Sequence, residues 1–361
     1  MKELSMVALL ALGITSEAMA EVTTQMGGQA VFYYQTNNGG DNNFFEQGTS
    51  SGNAGLQLDI KSDIGHDFGL GYQGTFLGTL DLDKNIILNE RQYAQANKAN
   101  GYATTKLYIT KKVANSYMKF GRQSLPKSLS PLAFSEGWNV FKNTFDAAVL
   151  VNKDFQDTTI VGAYVGSSNK HDNLSGFDKL TSNSTALGNA KGTLNSGAYM
   201  LTVANESMKN VPITASYYAL KDIAGADSGE ALWLDVKSKK RLVNFAGQAG
   251  QIDPSNNLDK TVAFGAKMSG KVNQTALSLA YSNVNDGDVQ LRNVGTAIKT
   301  PLYTQIIGNQ NFISLDNDTV LVKAVTKLPV GKLSVAYDYT QDNSVAKNDY
   351  QELDVVYKFV L

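Results

Sequence analysis

The chain has 361 residues, of which 42% are hydrophobic and 18% are charged, and its formal net charge is −1. It contains no cysteine, which excludes a disulfide framework and thiol chemistry. A charge so close to zero argues against a nucleic-acid partner, because such proteins carry a strong basic excess.

The N-terminus has the pattern of an export signal. Lys2 precedes an apolar run over 7–14, and Ala18-Met19-Ala20 is an A-x-A cleavage pattern. The apolar run is too short to span a bilayer as a helix. We therefore predict a signal peptide over 1–20 and one outer-membrane barrel domain over 21–361, since all-β barrels often reach this length as a single unit.

From Glu21 onward, hydrophobicity alternates with a period of two residues, which is typical of β-strands. Leu56, Leu58 and Ile60 alternate with polar residues, and the final segment 350–361 follows the same pattern. The polar faces carry charges in mid-strand, whereas the apolar faces are rich in Tyr, Phe, Leu and Val. A soluble sandwich would have to bury such faces in pairs, so the pattern favours a barrel with lipid outside and a polar lumen.

The connections between these segments alternate strictly between short and long. Seven are short turns, such as Ala114-Asn115, and eight are longer links rich in Gly, Asn, Asp and Ser. Outer-membrane barrels have short periplasmic turns and longer outer loops. We predict an all-β fold, a transmembrane antiparallel β-barrel of 16 strands. A hairpin hidden around Leu302–Ile307 would raise the count to 18.

The third long link, 124–143, is too apolar for a loop that lies only in water. It contains Leu125, Leu132, Phe134 and Trp138 among other apolar residues. Loops of this length are usually functional or disordered. We predict that this third extracellular loop folds into the lumen and narrows it, with Phe134 and Trp138 as anchors.

A pore selects by its diameter and by the charges at its narrowest part. The expected constriction and lumen residues are Lys127, Glu136 and Lys142 on the loop, with Lys106, Lys119, Arg122 and Asp146 on the facing wall. Strict alternation would place Arg122 on the lipid face, so either a β-bulge turns it inward, which we favour, or it sits at the rim of the barrel.

No cofactor is required by this sequence. Two oxygen-rich turns supply weak Ca²⁺ candidates, namely Asp286, Asp288, Asp316 and Asp318. Turns use Asp, Asn and Gly for backbone reasons as well, so a metal site and an ordinary turn both remain open. The two histidines, His66 and His171, lie far apart in the predicted topology, and we expect no catalytic triad and no enzyme activity.

The sequence around the third loop resembles one porin family. Phe120-Gly121-Arg122-Gln123, Pro131-Leu132 and Asn143-Thr144-Phe145-Asp146-Ala147 are similar to the GRQ…PL…NTFEA pattern of epsilonproteobacterial major outer-membrane porins. That family is distantly similar to the substrate-specific porins of pseudomonads. The family's common arginine shortly before NTF is not evident here.

The resemblance implies a homotrimer in the bacterial outer membrane, with lipopolysaccharide and the barrel-assembly machinery as partners. The expected function is passive diffusion of ions and small hydrophilic solutes. The alternative is a surface adhesin or antigen whose barrel does not conduct.

Overall fold

The structure is a computed structural model that describes residues 22–36, 45–95, 100–137, 139–169, 171–183, 191–194, 197–221, 228–238, 240, 242–255, 258–313 and 315–358. The predicted signal peptide and Trp138 lie outside the described residues. Within them, no helix has the length and apolar character needed to cross a membrane.

Among the described residues, the regular secondary structure is almost entirely β-strand. The strands are β1 (Thr23–Thr36), β2 (Ser50–Gly65), β3 (Phe68–Gly78), β4 (Gly101–Val113), β5 (Ser116–Gln123), β6 (Phe145–Asn152), β7 (Thr158–Asn169), β8 (Phe177–Asn183), β9 (Lys191–Leu194), β10 (Ala198–Asn205), β11 (Ile213–Lys221), β12 (Ser228–Ser238), β13 (Val243–Pro254), β14 (Thr261–Val272), β15 (Thr275–Val284), β16 (Asn317–Lys327), β17 (Lys332–Asp342) and β18 (Tyr350–Lys358). Single 3₁₀ turns lie at Gln47–Thr49, Leu82–Lys84 and Asn309–Asn311.

Sixteen of these strands are antiparallel members of one sheet, which confirms the strand count expected from the sequence. β8 and β9 pair with each other, from Leu180↔Leu194 to Asn183↔Lys191, as a small hairpin inside the long link between β7 and β10. The extra hairpin therefore lies in that link. The segment Leu302–Ile307, where the sequence allowed one, contains no strand.

The alternation of short turns and long links is also confirmed. The short turns follow β2, β4, β6, β10, β12, β14 and β16. Several contain a residue with positive φ, such as Ala114 (φ 49°), Asn273 (φ 53°) and Gly331 (φ 91°). Such left-handed residues are what tight antiparallel turns require.

The chain forms two compact units. Unit 1 comprises the described residues of Met1–Ser124, Asn139–Leu150 and Asn169–Phe177, and unit 2 comprises those of Leu125–Trp138, Val151–Ser168 and Asp178–Leu361. In unit 1, β1 to β5 pair in sequence order. In unit 2, β10 pairs with β7 and with β11, and each strand from β11 to β17 pairs with the next.

Each unit has an outer face, which we define as the face with exposed large apolar side chains, and an opposite inner face. In unit 1 the outer face carries Leu58, Phe76 and Leu107, and in unit 2 it carries Phe264 and Leu353. These are the alternating positions expected from the sequence. The inner faces carry the polar and charged positions.

β6 departs from the expected pattern. Leu150 is exposed, whereas Phe145 and Ala147 are buried, so Phe145 and Ala147 lie on the inner face and Asp146 on the outer face. The sequence interpretation had placed these residues the other way round. In unit 1 part of the inner side is filled by packed loop residues, including Val140 and Phe141, and a covered surface of this kind accepts apolar side chains.

Candidate functional site

The first half of the third long link, which we call L3 (124–143), lies against the inner face of unit 2. The Leu132 amide donates a hydrogen bond to the Tyr218 hydroxyl at 3.2 Å. Tyr218 and Leu132 are both fully buried. Tyr218 belongs to the inner face of β11, because its neighbour Tyr217 is exposed on the other face. L3 therefore lies directly on the wall at this point.

On its other side, L3 is bonded to the long link between β15 and β16, which we call L7 (285–316). The Val294 amide donates to the Leu132 carbonyl at 2.8 Å. The Asn293 side chain bonds to both main-chain groups of Phe134, accepting from its amide at 3.2 Å and donating to its carbonyl at 2.8 Å. A single buried amide side chain thus fixes the L3 backbone.

Glu136 is the centre of the same network. Its Oε1 accepts hydrogen bonds from Asn293 Nδ2 at 2.8 Å, from the Thr296 hydroxyl at 2.5 Å and from the Lys299 amide at 3.2 Å. Lys299 Nζ also donates to the Gly137 carbonyl at 3.0 Å. Hydrogen bonds to a charged acceptor in a buried site are the stronger ones, so this network holds L3 and L7 together.

L7 continues across the inner face from β12 to β18. Its contacts, in order along L7, are Pro301 O with Gln248 Nε2 (3.2 Å), the Tyr303 hydroxyl with Asp235 (2.8 Å), the Thr304 and Ser282 hydroxyls (2.6 Å), the Ile307 amide with Asp354 (3.4 Å), the Gly308 amide with Glu352 (2.8 Å) and Asn309 Nδ2 with Asp338 (3.3 Å). L7 is therefore a second segment on the inner face.

The second half of L3 packs within unit 1. The Phe141 ring lies over Gly55 of β2, where an added Cβ would come within 2.5 Å of the ring. The Phe141 amide donates to Gln92 Oε1 at 2.9 Å, and Gln92 Nε2 donates to the carbonyls of Phe141 and His171. Gln92 thus joins L3 to two further links of the same unit.

The two strands that flank L3, β5 and β6, are joined by an ion pair. Arg122 Nε lies 2.9 Å from Asp146 Oδ1, and Arg122 Nη1 donates to the Thr104 carbonyl at 3.0 Å. Arg122 is paired in register with Leu107, whose exposed side chain marks the outer face. The register therefore places Arg122 on the outer face, and not on the inner face that we expected. Asp146 lies on the same outer face.

A bulge does occur nearby, but on β4. The β3–β4 register shifts by one residue after the pair Gln73↔Lys106, which leaves Thr105 extra. Thr105 and Lys106 both point to the inner face as a result. Lys106 Nζ lies 3.5 Å from Asp59, and Lys119 Nζ lies 3.8 Å from the centre of the Tyr108 ring. These two lysines are together on the inner face of unit 1.

The two lysines expected on L3 have different surroundings. Both residues are exposed, but Lys127 Nζ stands 5.3 Å from the centre of the Phe134 ring. Desolvation by the surrounding protein lowers the pKa of Lys127 to about 8, and the charge of Asp235 opposes this shift. Lys127 belongs to the L3–L7 region of unit 2 together with Glu136.

The Ca²⁺ candidates take part in loop hydrogen bonding. Asp288 accepts from the Asp259 amide at 2.6 Å, and the Asp316 amide donates to the Asn285 carbonyl at 2.8 Å. Asp318 accepts from Tyr281, from Asn283 at 3.0 Å and from Asn343 at 2.8 Å. Among the described residues, no three acidic or histidine side chains form a group suited to a metal ion.

Comparison with known proteins found no matching family model and no matching curated relative. Solved structures do match. OccK8 (OprE) of Pseudomonas aeruginosa has a TM-score of 0.72 at 13% identity, covering 94% of this chain and 88% of its own. OccAB2 of Acinetobacter baumannii has a TM-score of 0.72 at 13% identity, covering 95% and 87%. OpdK of P. aeruginosa, solved with vanillate, has a TM-score of 0.72 at 12% identity, covering 95% and 89%.

These neighbours are substrate-specific outer-membrane porins of the Occ type. The fold class expected from the sequence, all-β with sixteen antiparallel strands in one sheet, is thereby confirmed, and it matches the sixteen-stranded barrels of these neighbours. The resemblance stated from the sequence involved two groups, and these neighbours match the second one, the substrate-specific porins of pseudomonads. No sequence match supports the epsilonproteobacterial family itself.

Sequence reasoning missed the role of L7. Asn293, Thr296 and Lys299 bond to Glu136 from more than 150 positions away. The available signal was the length of the link and its apolar content, including Val289, Leu291 and Val294. Length and apolar content were the reasons for predicting that L3 folds inward, and the same two features would have supported that prediction for L7.

Proposed function

We propose that the chain is an outer-membrane porin through which ions and small hydrophilic solutes diffuse passively. The barrel lumen is filled with water and is narrowed by L3. The observation that carries this proposal is the position of Leu132, which bonds to Tyr218 of the inner face on one side and to Val294 of L7 on the other. A loop bonded on both sides in this way stays inside.

The inner-face charges support a lumen filled with water. Unit 1 has Asp59, Lys106 and Lys119 there, and unit 2 has Asp235, Lys237, Lys267 and Lys323. Charges in a dry core would each cost several kcal/mol. Because both signs are present, we expect weak ion selectivity, to which Lys127 of L3 contributes at the constriction. Glu136 is buried in the L3–L7 contact, and its part is to hold L3 in place.

L7 contributes to the narrowing in this proposal. Tyr303 and Gly308 bond to Asp235 and Glu352, so the segment between them crosses the inner face. The constriction then has two sides, L3 and L7, joined through Asn293. The solutes that pass are those small enough to fit beside both segments.

The test is single-channel recording of the purified full chain in planar lipid bilayers. A porin gives discrete conductance steps, and heat-denatured protein of the same preparation is the control. An adhesin or antigen barrel with a filled lumen gives no steps. The reversal potential in a salt gradient, measured again for Lys127→Glu and Lys142→Glu, then tests the constriction assignment. If neither substitution changes it, L3 does not line the narrowest part.

The proposed partners follow from the resemblance to trimeric porins. We expect a homotrimer that contacts lipopolysaccharide and is inserted by the barrel-assembly machinery after export. Native mass spectrometry of the detergent-extracted protein measures the subunit number. A monomer would remove the trimer from the proposal and leave the channel function to the bilayer experiment.

A further inference from the structure

Three carboxyl groups lie side by side on the inner face of β17 and β18. Asp338 and Glu352 stand directly opposite each other in the strand register, and Asp354 follows Glu352 on the same face of β18. The Glu352 and Asp354 side chains are also hydrogen-bond partners. Like charges in directly opposed positions destabilise a sheet. This arrangement therefore needs something that reduces its negative charge.

No basic side chain in the described part of the chain supplies a compensating charge, because none forms an ion pair with these three carboxyl groups. Lys323 pairs with Ala336, and Ala336 pairs with Asp354, so one residue separates this lysine from the nearest carboxyl group in register. Lys332 and Lys358 pair with each other at the far end of these strands, next to the short turn that follows β16.

The contact between Glu352 and Asp354 itself indicates a proton. Ionised carboxylates only accept hydrogen bonds, so two carboxyl groups bond to each other only when one of them is protonated. The Tyr350 hydroxyl donates to Glu352 Oε2 at 3.3 Å, and residues 304–313 of L7 contain no ionisable side chain. Asp338 is fully buried beside the pair, and its Oδ1 has no partner, which makes a further negative charge there costly.

The same two carboxyl groups hold the tip of L7, residues 306–309. The Gly308 amide donates to Glu352 Oε1 at 2.8 Å, and the Ile307 amide donates to Asp354 Oδ2 at 3.4 Å. Both bonds depend on the present positions of the two side chains. If repulsion moved the side chains of Glu352 and Asp354 apart, the tip of L7 would lose both contacts.

We propose that Glu352 and Asp354 share one proton at neutral pH and that this proton keeps the tip of L7 docked on the inner face. At higher pH the proton passes to hydroxide in the solvent. Three adjacent carboxylates then repel one another, the bonds to Gly308 and Ile307 break, and the tip is released. The part of L7 in narrowing the lumen belongs to the proposed function, and the channel readout below rests on it. The shared proton does not.

Infrared spectroscopy of the purified full chain in detergent detects the proton directly, because a protonated carboxyl group and a carboxylate absorb at different frequencies. Ordinary Asp and Glu side chains are ionised above about pH 5. We expect the wild type to keep a protonated-carboxyl band at about pH 6 and to lose it by about pH 9. Glu352→Gln should lose the band at both pH values. Glu206→Gln, at an exposed position just after β10, is the matched control and should keep the wild-type behaviour.

Single-channel recording of the same proteins measures the release of L7. The wild type should show more frequent partial closures at the higher pH, because the freed tip moves within the lumen. In Glu352→Gln the amide oxygen can still accept from Gly308 and the amide nitrogen can donate to Asp354. This variant should therefore keep the low closure frequency at both pH values, whereas Glu206→Gln should respond to pH as the wild type does.

The two readouts fail separately. A wild type without the band at the lower pH, or an unchanged band in Glu352→Gln, overturns the shared proton. A wild-type closure frequency that does not change with pH overturns the part of the proton in holding L7. If no conductance steps are seen, the porin proposal fails, and the infrared band still decides whether the proton is shared. If Glu352→Gln does not fold, Asp354→Asn removes the other half of the pair and takes the same infrared test.

Discussion

Asn293 Nδ2 lies 2.8 Å from Glu136 Oε1, which joins two loops across 157 residues of sequence. The same amide side chain bonds to the Phe134 amide and carbonyl, so it fixes both the backbone and the acidic side chain of L3. L3 therefore depends on L7 for its position, and changes in L7 should alter the constriction that we propose between them.

The first prediction concerns Asn293→Ala. The substitution leaves the Phe134 amide and Glu136 with fewer partners in a buried site, which costs about 1–3 kcal/mol for each buried polar group left unsatisfied. We expect L3 to move away from L7, with a larger single-channel conductance and more current noise. Asn348→Ala, at an exposed position in the last long link, is the control. Conductance equal to that of the wild type would show that L3 keeps its place without Asn293.

The strand count and the order of turns and links could be predicted from the sequence because both are local signals. Alternation at Leu56, Leu58 and Ile60 fixes which face of one strand is apolar, and pairing with neighbours does not change it. The short turns carry residues that accept positive φ, such as Asn210 and Asn273. These features need no knowledge of distant contacts.

The path of L7 could not be predicted in the same way. Its bonds to Asp235, Asp338 and Glu352 join residues between 29 and 68 positions apart, and no periodic pattern marks them. The orientation of Arg122 was missed for a related reason. The bulge lies at Thr105 on the neighbouring strand, where it changes the inner face of β4 and leaves the alternation of β5 intact.

The second prediction concerns the pH dependence of ion selectivity. The pKa of Lys127 is lowered to about 8, so the folded protein loses this charge between pH 7 and 9. We expect the reversal potential in a salt gradient to shift toward cation selectivity over that range. Lys127→Gln should show the high-pH value throughout, whereas Lys142→Gln should keep the pH dependence. A shift that survives in Lys127→Gln would assign the titration to another group.

The same pKa has a consequence for stability, and its sign follows from proton linkage. The folded pKa of about 8 lies below the ordinary value of 10.5, so the unfolded state binds more protons between these two values. The free energy of unfolding should therefore rise with pH across this window. Because Lys127 is exposed to solvent, we expect the rise to be small, and Lys127→Gln should remove it in urea titrations at pH 8 and 10.

The third prediction separates the Arg122–Asp146 pair from the lumen charges. Asp146→Asn removes the carboxylate that pairs with Arg122 on the outer face, where an arginine charge costs about 2–4 kcal/mol at mid-bilayer depth and little near the interface. Arg122→Met combined with Asp146→Leu removes both charges and should restore much of the lost stability. Unfolding in lipid vesicles measures this, with the two single variants completing a double-mutant cycle.

Single-channel recording provides the complementary measurement for this pair. The double variant should conduct with the selectivity of the wild type, since neither residue lies on the inner face. Lys106→Gln, on the inner face of the same unit, is the matched comparison and should change the reversal potential. A changed selectivity in the double variant would place the pair at the lumen.

The fourth prediction concerns Gly308, at the point where L7 meets β18. Its φ of −104° suits any residue, but a Cβ would lie 2.9 Å from Glu352 Oε1, which accepts the Gly308 amide at 2.8 Å. We therefore expect Gly308→Ala to break this hydrogen bond, release the tip of L7 and increase the frequency of partial closures in single-channel records. Gly247→Ala is the matched control, because no atom lies within 4 Å of the added carbon. Equal closure rates in both variants would mean that the Gly308–Glu352 bond does not hold L7.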